Sequence, residues 1–193
     1  MTSPTFAAIA FSGSLRNGSS NTALVRLAQR IAPPELTIEI IDWVDQLPWM
    51  NPDLETDPPE IVLRWWAALR GADALIIGMP EYNATPTALA KNAIDWASRP
   101  WGQNSFARKP SGVIGMSPGA IGTAVAQQSL RSVLSCCNSP QMNAPEAYIQ
   151  FKPGLITEDG QVTNEDTAKF LANYMAEFHS FVARVTSVLP KDA

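Results

Sequence analysis

The chain has 193 residues, 46% hydrophobic and 17% charged, with a formal net charge of -4. That length and balance suit one globular domain over residues 1–193 with a sizeable core, and the acidic excess argues against nucleic acid, which needs basic surface. No apolar run reaches the roughly eighteen residues of a membrane span, and Met1-Thr-Ser-Pro-Thr puts no positive segment ahead of an apolar one, so a cytoplasmic protein with no membrane partner is expected.

The apolar run Phe6 to Ala10 predicts a strand, and Leu24, Leu27, Ala28 and Ile31 repeat at helical spacing over 22–31. Between them lies the polar loop Phe11-Ser-Gly-Ser-Leu-Arg-Asn-Gly-Ser-Ser-Asn21. It gathers the hydroxyls of Ser12, Ser14, Ser19 and Ser20, the amide of Asn21 and the guanidinium of Arg16 around a helix start, a donor set that suits an anion. Phosphate uses such a set best, because three oxygens need partners and one Arg takes two of them. The competing reading is an ordinary strand-to-helix turn, with Ser and Asn as caps and Arg16 in solvent. Two phosphate motifs fail here. Ser19 stands where the triphosphate loop needs its Lys, and Gly13-Ser-Leu-Arg-Asn-Gly18 lacks the middle glycine of the dinucleotide fingerprint. A monophosphate fits better.

After the break at Pro33-Pro34, Leu36 to Ile41 predicts a second strand. The Pro-rich stretch Asp42 to Pro59, with Trp43, Trp49, Asp53, Glu55 and Asp57, reads as a loop whose carboxylates face solvent. Pro59 to Arg70 predicts a helix, apolar at Ile61, Trp65, Ala68 and Leu69, with Gly71 closing it. Ala74 to Gly78 is wholly apolar, as a central parallel strand should be. Pro80-Glu-Tyr-Asn83 follows, then a helix from about Thr85-Pro86 to Ala97, a strand Ser111 to Met116 and a small polar exit loop, Ser117-Pro-Gly-Ala-Ile-Gly122. A helix apolar at Ala126, Leu130, Val133 and Leu134 leads to a last strand, Ala147 to Phe151, then a turn or small hairpin over 154–160. The final helix, about 164–187, carries Leu171, Tyr174, Phe178, Phe181, Val182 and Val185 on one face.

Five β-α units in strict alternation predict an α/β fold, one doubly wound parallel sheet with helices on both faces. Ligands in such sheets sit beyond the carboxyl ends of the strands, where strand order reverses. In a 2-1-3-4-5 order the loops starting at Ser12, Pro80 and Ser117 share one crevice, offering a phosphate end and two walls for a ring system. The adjacent Cys136 and Cys137 read as small buried helix residues, not a disulfide. His179 has no partner at ligand spacing, so no metal is expected. Taken singly, Tyr82 could equally be a core aromatic and Glu81 a surface acid. Lys91, Asn92, Asp95 and Trp96 read as structural.

Gly13-Ser-Leu-Arg16 with Ser19 and Asn21, Pro80-Glu-Tyr-Asn83, Lys91-Asn-Ala-Ile-Asp-Trp96 and the Ser117-Pro-Gly loop together resemble the NADPH-dependent FMN reductase family, in particular its quinone and chromate reductase branch. The resemblance covers nearly the whole chain. It implies a flavodoxin-like, five-stranded, three-layer α/β/α fold that binds FMN non-covalently. It places Ser14, Arg16, Ser19 and Asn21 around the phosphate, Pro80, Glu81, Tyr82 and Asn83 along the ring, and Ser117 and Gly119 on its far side, with Leu15, Ser20 and Pro118 as further cofactor-binding residues of the same loops. One departure is visible: where the family has a Gly shortly before Leu-Lys-Asn, this chain has Thr87-Ala-Leu-Ala-Lys91.

The activity implied is that of an oxidoreductase taking a hydride from NADPH or NADH and passing two electrons to a small acceptor such as a quinone, with chromate, azo dyes or free flavin as further acceptors. No catalytic side chain is assigned, because the flavin carries the electron chemistry. A homo-oligomer, dimer or tetramer, is implied as well. The rival from another class is a flavin-binding electron carrier or regulatory module without turnover, which the modest charge and Arg16 disfavour.

Overall fold

The computed structural model describes residues 3–157 and 161–189. Five strands, β1 (Phe6–Ser12), β2 (Leu36–Ile40), β3 (Ala74–Gly78), β4 (Ser111–Ser117) and β5 (Ala147–Gln150), form one parallel sheet in the order β2-β1-β3-β4-β5. Strand order reverses between β1 and β3, so the expected topology and its switch point are both present. Every residue of β3 is buried, which is why it reads as a run and not an alternation.

Helices α2 (Glu60–Gly71), α3 (Ala88–Ala97) and α4 (Ala124–Cys136) cover one face, where Trp65, Trp96 and Phe106 are fully buried. Helices α1 (Ser20–Ile31) and α5 (Glu165–Val188) cover the other with Leu24, Leu171, Tyr174 and Phe178. The layers are therefore α/β/α.

Several boundaries differ from expectation for local reasons. β1 runs two residues past Ala10 because Phe11 and Ser12 pair with Ile77 and Gly78. α1 starts at Ser20, since the Ser19 side chain accepts the N–H of Thr22 as its cap. α3 starts only at Ala88, capped by Thr87, and β5 stops at Gln150. Gly71 is helical and does not end α2 in a left-handed conformation. The cap is Ala72, and Asp73 then pairs at once with Ala7 through its backbone N–H and its carboxylate. The buried stripe of α2 is Val62, Trp65, Trp66 and Leu69, so Ile61 and Ala68 are only flanking. In the final stretch, Ile156 bridges Val162; residues 158–160 of the expected hairpin lie outside the described residues.

The Pro-rich stretch contains two short 3-10 turns, Val44–Gln46 and Pro52–Leu54, and is pinned to α3. Asn92 accepts the N–H of Met50 at 2.7 Å and donates to the Pro48 carbonyl at 2.9 Å, which Trp96 Nε1 also reaches at 2.7 Å. Lys91 and Asp95 pair on the exposed side of the same helix at 2.6 Å. Asn92 and Trp96 thus pin the Pro-rich stretch to α3, while Lys91 and Asp95 pair at its surface. The cysteines differ from expectation: Cys136 is exposed, and only Cys137, which closes α4, is buried. Burial, then the neighbouring Cys136, pushes the Cys137 thiol up, away from a reactive thiolate.

Candidate functional site

The first loop is wound tightly at the carboxyl end of β1. Gly13 donates to the Gly78 carbonyl at 2.8 Å, Ser14 N–H to Ser12 Oγ and Arg16 N–H to Ser14 Oγ, and Ser19 N–H closes on the Arg16 carbonyl. Thr87 Oγ donates to the Gly13 carbonyl at 2.7 Å, tying the cap of α3 to this loop. A Cβ on Gly13 would lie 2.7 Å from that hydroxyl, so the close approach requires glycine.

At the start of α1 the backbone N–H groups of Ser20 and Asn21 donate to nothing among the described residues, and the first turn holds no acid. Arg16 is exposed and makes no ion pair or hydrogen bond through its guanidinium among the described residues. Free amides, hydroxyls and a cation thus share one helix start, where the macrodipole adds positive potential. The Asn21 side chain does something else. It is buried, donates to the Met116 carbonyl and accepts the Met116 N–H, both at 2.9 Å. Its amide therefore clamps the end of β4 to α1, which leaves only its backbone N–H as a donor at this helix start. Asn21→Ala should lower folding stability by about 1 to 2 kcal/mol through the unpaired Met116 groups; an unshifted urea midpoint would show that the clamp carries no weight.

The second loop follows β3. Tyr82 and Thr85 pair across a two-residue turn in which Asn83 (φ 53°) and Ala84 (φ 62°) are both left-handed, the type I′ geometry. This turn stands the Tyr82 ring outward, 54% exposed, so it is not a core aromatic. Glu81 is not a solvent-facing acid either: its Oε2 accepts the N–H of Ala126 in α4 at 2.9 Å. The third loop follows β4, with Gly119 N–H on Ser117 Oγ and Gly122 N–H on the Gly119 carbonyl. Gly122 is left-handed (φ 60°), and a Cβ there would lie 2.8 Å from the Ile149 nitrogen.

These loops enclose a cleft of about 140 Å³ walled by Ser14, Arg16, Ser19, Ser20, Asn21, Pro80, Glu81, Tyr82, Met116, Ser117 and Pro118. Ten of its walls are residues singled out from sequence; Met116 is the addition. Leu15, Asn83 and Gly119 lie outside it. Leu15 is 68% exposed and borders a hollow of about 580 Å³ on the β2 side, shared with Ser14. Asn83 sits at the turn, and Gly119 is exposed next to Pro118 of the wall. A hollow of about 630 Å³ opens on the other side of the loop, where Arg16, Ser19, Ser20 and Thr22 meet Arg26 and Phe151. Arg26 was missed in the sequence, although Ser19, Thr22 and Arg26 fall on one side of a helix by spacing. Among the described residues no three of His, Cys, Asp and Glu come together as metal ligands, and no helix is long and apolar enough to cross a membrane.

Residues 7–154 match the model of the NADPH-dependent FMN reductase family. A 2-hydroxy-1,4-benzoquinone reductase of Burkholderia sp is 39% identical over 170 residues, 88% of this chain and 92% of that protein. An NAD(P)H-dependent FMN reductase of Pseudomonas aeruginosa is 34% identical, covering 92% of this chain and 95% of its own. Among solved structures, the flavoenzyme NAD(P)H:(acceptor) oxidoreductase FerB from Paracoccus denitrificans superposes with a TM-score of 0.89 at 40% identity, over 93% of this chain and 98% of that one. With family match, sequence relatives and fold in agreement across most of its length, the chain belongs to the NADPH-dependent FMN reductase family.

Proposed function

We propose that this protein is an NAD(P)H-dependent FMN oxidoreductase whose acceptor is a small molecule of the quinone class, working as one FMN-binding domain per chain. The observation that carries the reading is the cleft itself, a phosphate-type donor set joined to two loops that stand apart as walls. The donor set fits the terminal phosphate of FMN: neutral hydroxyls, the free amides of Ser20 and Asn21 and the unpaired Arg16 supply donors for three oxygens. The only carboxylate in the wall, Glu81, is turned onto α4.

Bound there, FMN supplies two-electron chemistry between a reduced nicotinamide and an acceptor. The chain's own part is placement. Arg16 and the first loop would hold the phosphate, and Pro80 to Asn83, with the exposed Tyr82, and Ser117 to Gly119 would hold the ring. No side chain here is required to move a proton. A quinone is supported by the Burkholderia relative, a 2-hydroxy-1,4-benzoquinone reductase; chromate, azo dyes and free flavin remain further acceptors of this reading. The exposed Trp49, Trp101, Ile121 and Val125 support a homo-oligomer, dimer or tetramer, and this reading takes the cytoplasm as the place where the protein acts.

Purified protein tests this directly. We expect flavin absorbance that ultrafiltration does not remove, and oxidation of NADPH or NADH that depends on added 1,4-benzoquinone. Bound flavin without acceptor-dependent oxidation would instead make the protein an electron carrier.

A further inference from the structure

Helix α4 begins without a cap of its own. Its N-cap residue, Thr123, makes no capping hydrogen bond, and its hydroxyl accepts from Gln127 Nε2 at 3.0 Å instead. An uncapped first turn leaves backbone N–H groups without partners, and a carboxylate is the strongest acceptor for them, favoured further by the helix macrodipole. That acceptor comes from 45 residues away: Glu81 Oε2 takes the N–H of Ala126 at 2.9 Å. Glu81 belongs to the same loop as Pro80 and Tyr82, and α4 follows directly on the Ser117–Gly122 loop. One hydrogen bond thus ties a wall residue of the cleft, Glu81, to the helix into which the opposite wall, Ser117 and Pro118, leads.

We propose that Glu81 is a positioning residue for the flavin ring: by capping α4 from the opposite wall, it sets the gap between the Pro80–Asn83 and Ser117–Gly119 loops. This rests on the FMN reading above. Glu81 acts through the α4 start and not by touching the reacting atoms. Gln keeps an acceptor oxygen at that length and gives up only the charge, so most of the bond survives the exchange whereas Ala removes it.

The test is titration of flavin-free protein with FMN and with riboflavin, which lacks the phosphate and so reports on the ring cleft alone. Glu81→Ala should weaken both ligands alike, by about tenfold, the scale of one charge-assisted hydrogen bond, while Glu81→Gln stays within about threefold of the parent. Should the alanine variant fail to fold, Glu81→Met, which fills similar volume without an acceptor, takes its place. Unchanged affinities, a loss for FMN but not riboflavin, or an equal loss in Glu81→Gln would each overturn the inference. If the parent protein binds neither flavin, the FMN reading itself falls, which the same titration shows separately.

Discussion

Gly115→Ala is expected to lower folding stability by about 3 kcal/mol, at the upper end of what overpacking a close-packed interior does. Gly115 lies in β4, two residues before Ser117, with β3 on one side and the start of α4 above it. A Cβ there would fall 1.9 Å from Thr123 Oγ and 2.5 Å from the Met79 carbonyl oxygen. Neither neighbour can yield cheaply. Thr123 is fully buried and its hydroxyl holds Gln127, whose amide also donates to the Ala147 carbonyl at the start of β5; the Met79 oxygen belongs to the backbone leaving β3. Relief requires α4 to lift from the sheet or β3 and β4 to part, and either motion opens the cleft. Gly119→Ala is the control, because its Cβ would meet only Ser117 Oγ, at 3.6 Å. That variant should stay within about 0.5 kcal/mol of the parent. The check is urea unfolding, read as a shift of midpoint at constant slope. Equal midpoints for the two variants would mean that the approach of Thr123 does not constrain the sheet.

The two variants also mark where sequence reading works. Local composition reveals a wholly apolar strand such as β3, an alternation such as β2 and the helical repeat of α1, because each is produced by residues a few positions apart. The loops that build the cleft follow from that alternation and from the switch-point rule. What local composition does not reveal is which polar group meets which. Asn21 looks like one more phosphate donor until Met116, 95 residues on, takes both ends of its amide. Glu81 looks like a surface acid because the helix start it caps lies 45 residues away. Tyr82 is turned outward by left-handed Asn83 and Ala84, and an alanine in that conformation carries no glycine-like signal. In α2 the stripe shifts because two adjacent indoles are both buried, each N–H reaching a carbonyl of α3, Trp65 to Ala93 and Trp66 to Trp96. Burial of an indole depends on such a partner, and the partner belongs to another helix.

Arg16→Ala should weaken FMN binding by about 1.5 to 3 kcal/mol, roughly 10- to 150-fold, the scale of a hydrogen bond to a charged group. Its guanidinium has no partner among the described residues, so removing it orphans nothing inside the protein. Folding stability of the flavin-free form should therefore stay within about 0.5 kcal/mol of the parent. Riboflavin affinity should be unaffected, since riboflavin offers no phosphate for Arg16 to hold. Arg16→Lys should recover only part of the loss, because an ammonium meets phosphate as a point charge and lacks the planar two-donor fork. Arg16 is exposed, so the parent's advantage over Arg16→Ala should also shrink as salt is raised. A flavin titration in low and moderate salt reads the four affinity arms, and urea unfolding of the flavin-free form reads the stability. An unchanged FMN dissociation constant in Arg16→Ala would remove this residue from the site and leave the amides of Ser20 and Asn21 as the anchor. A parallel loss for riboflavin would move Arg16 from the phosphate end to the ring.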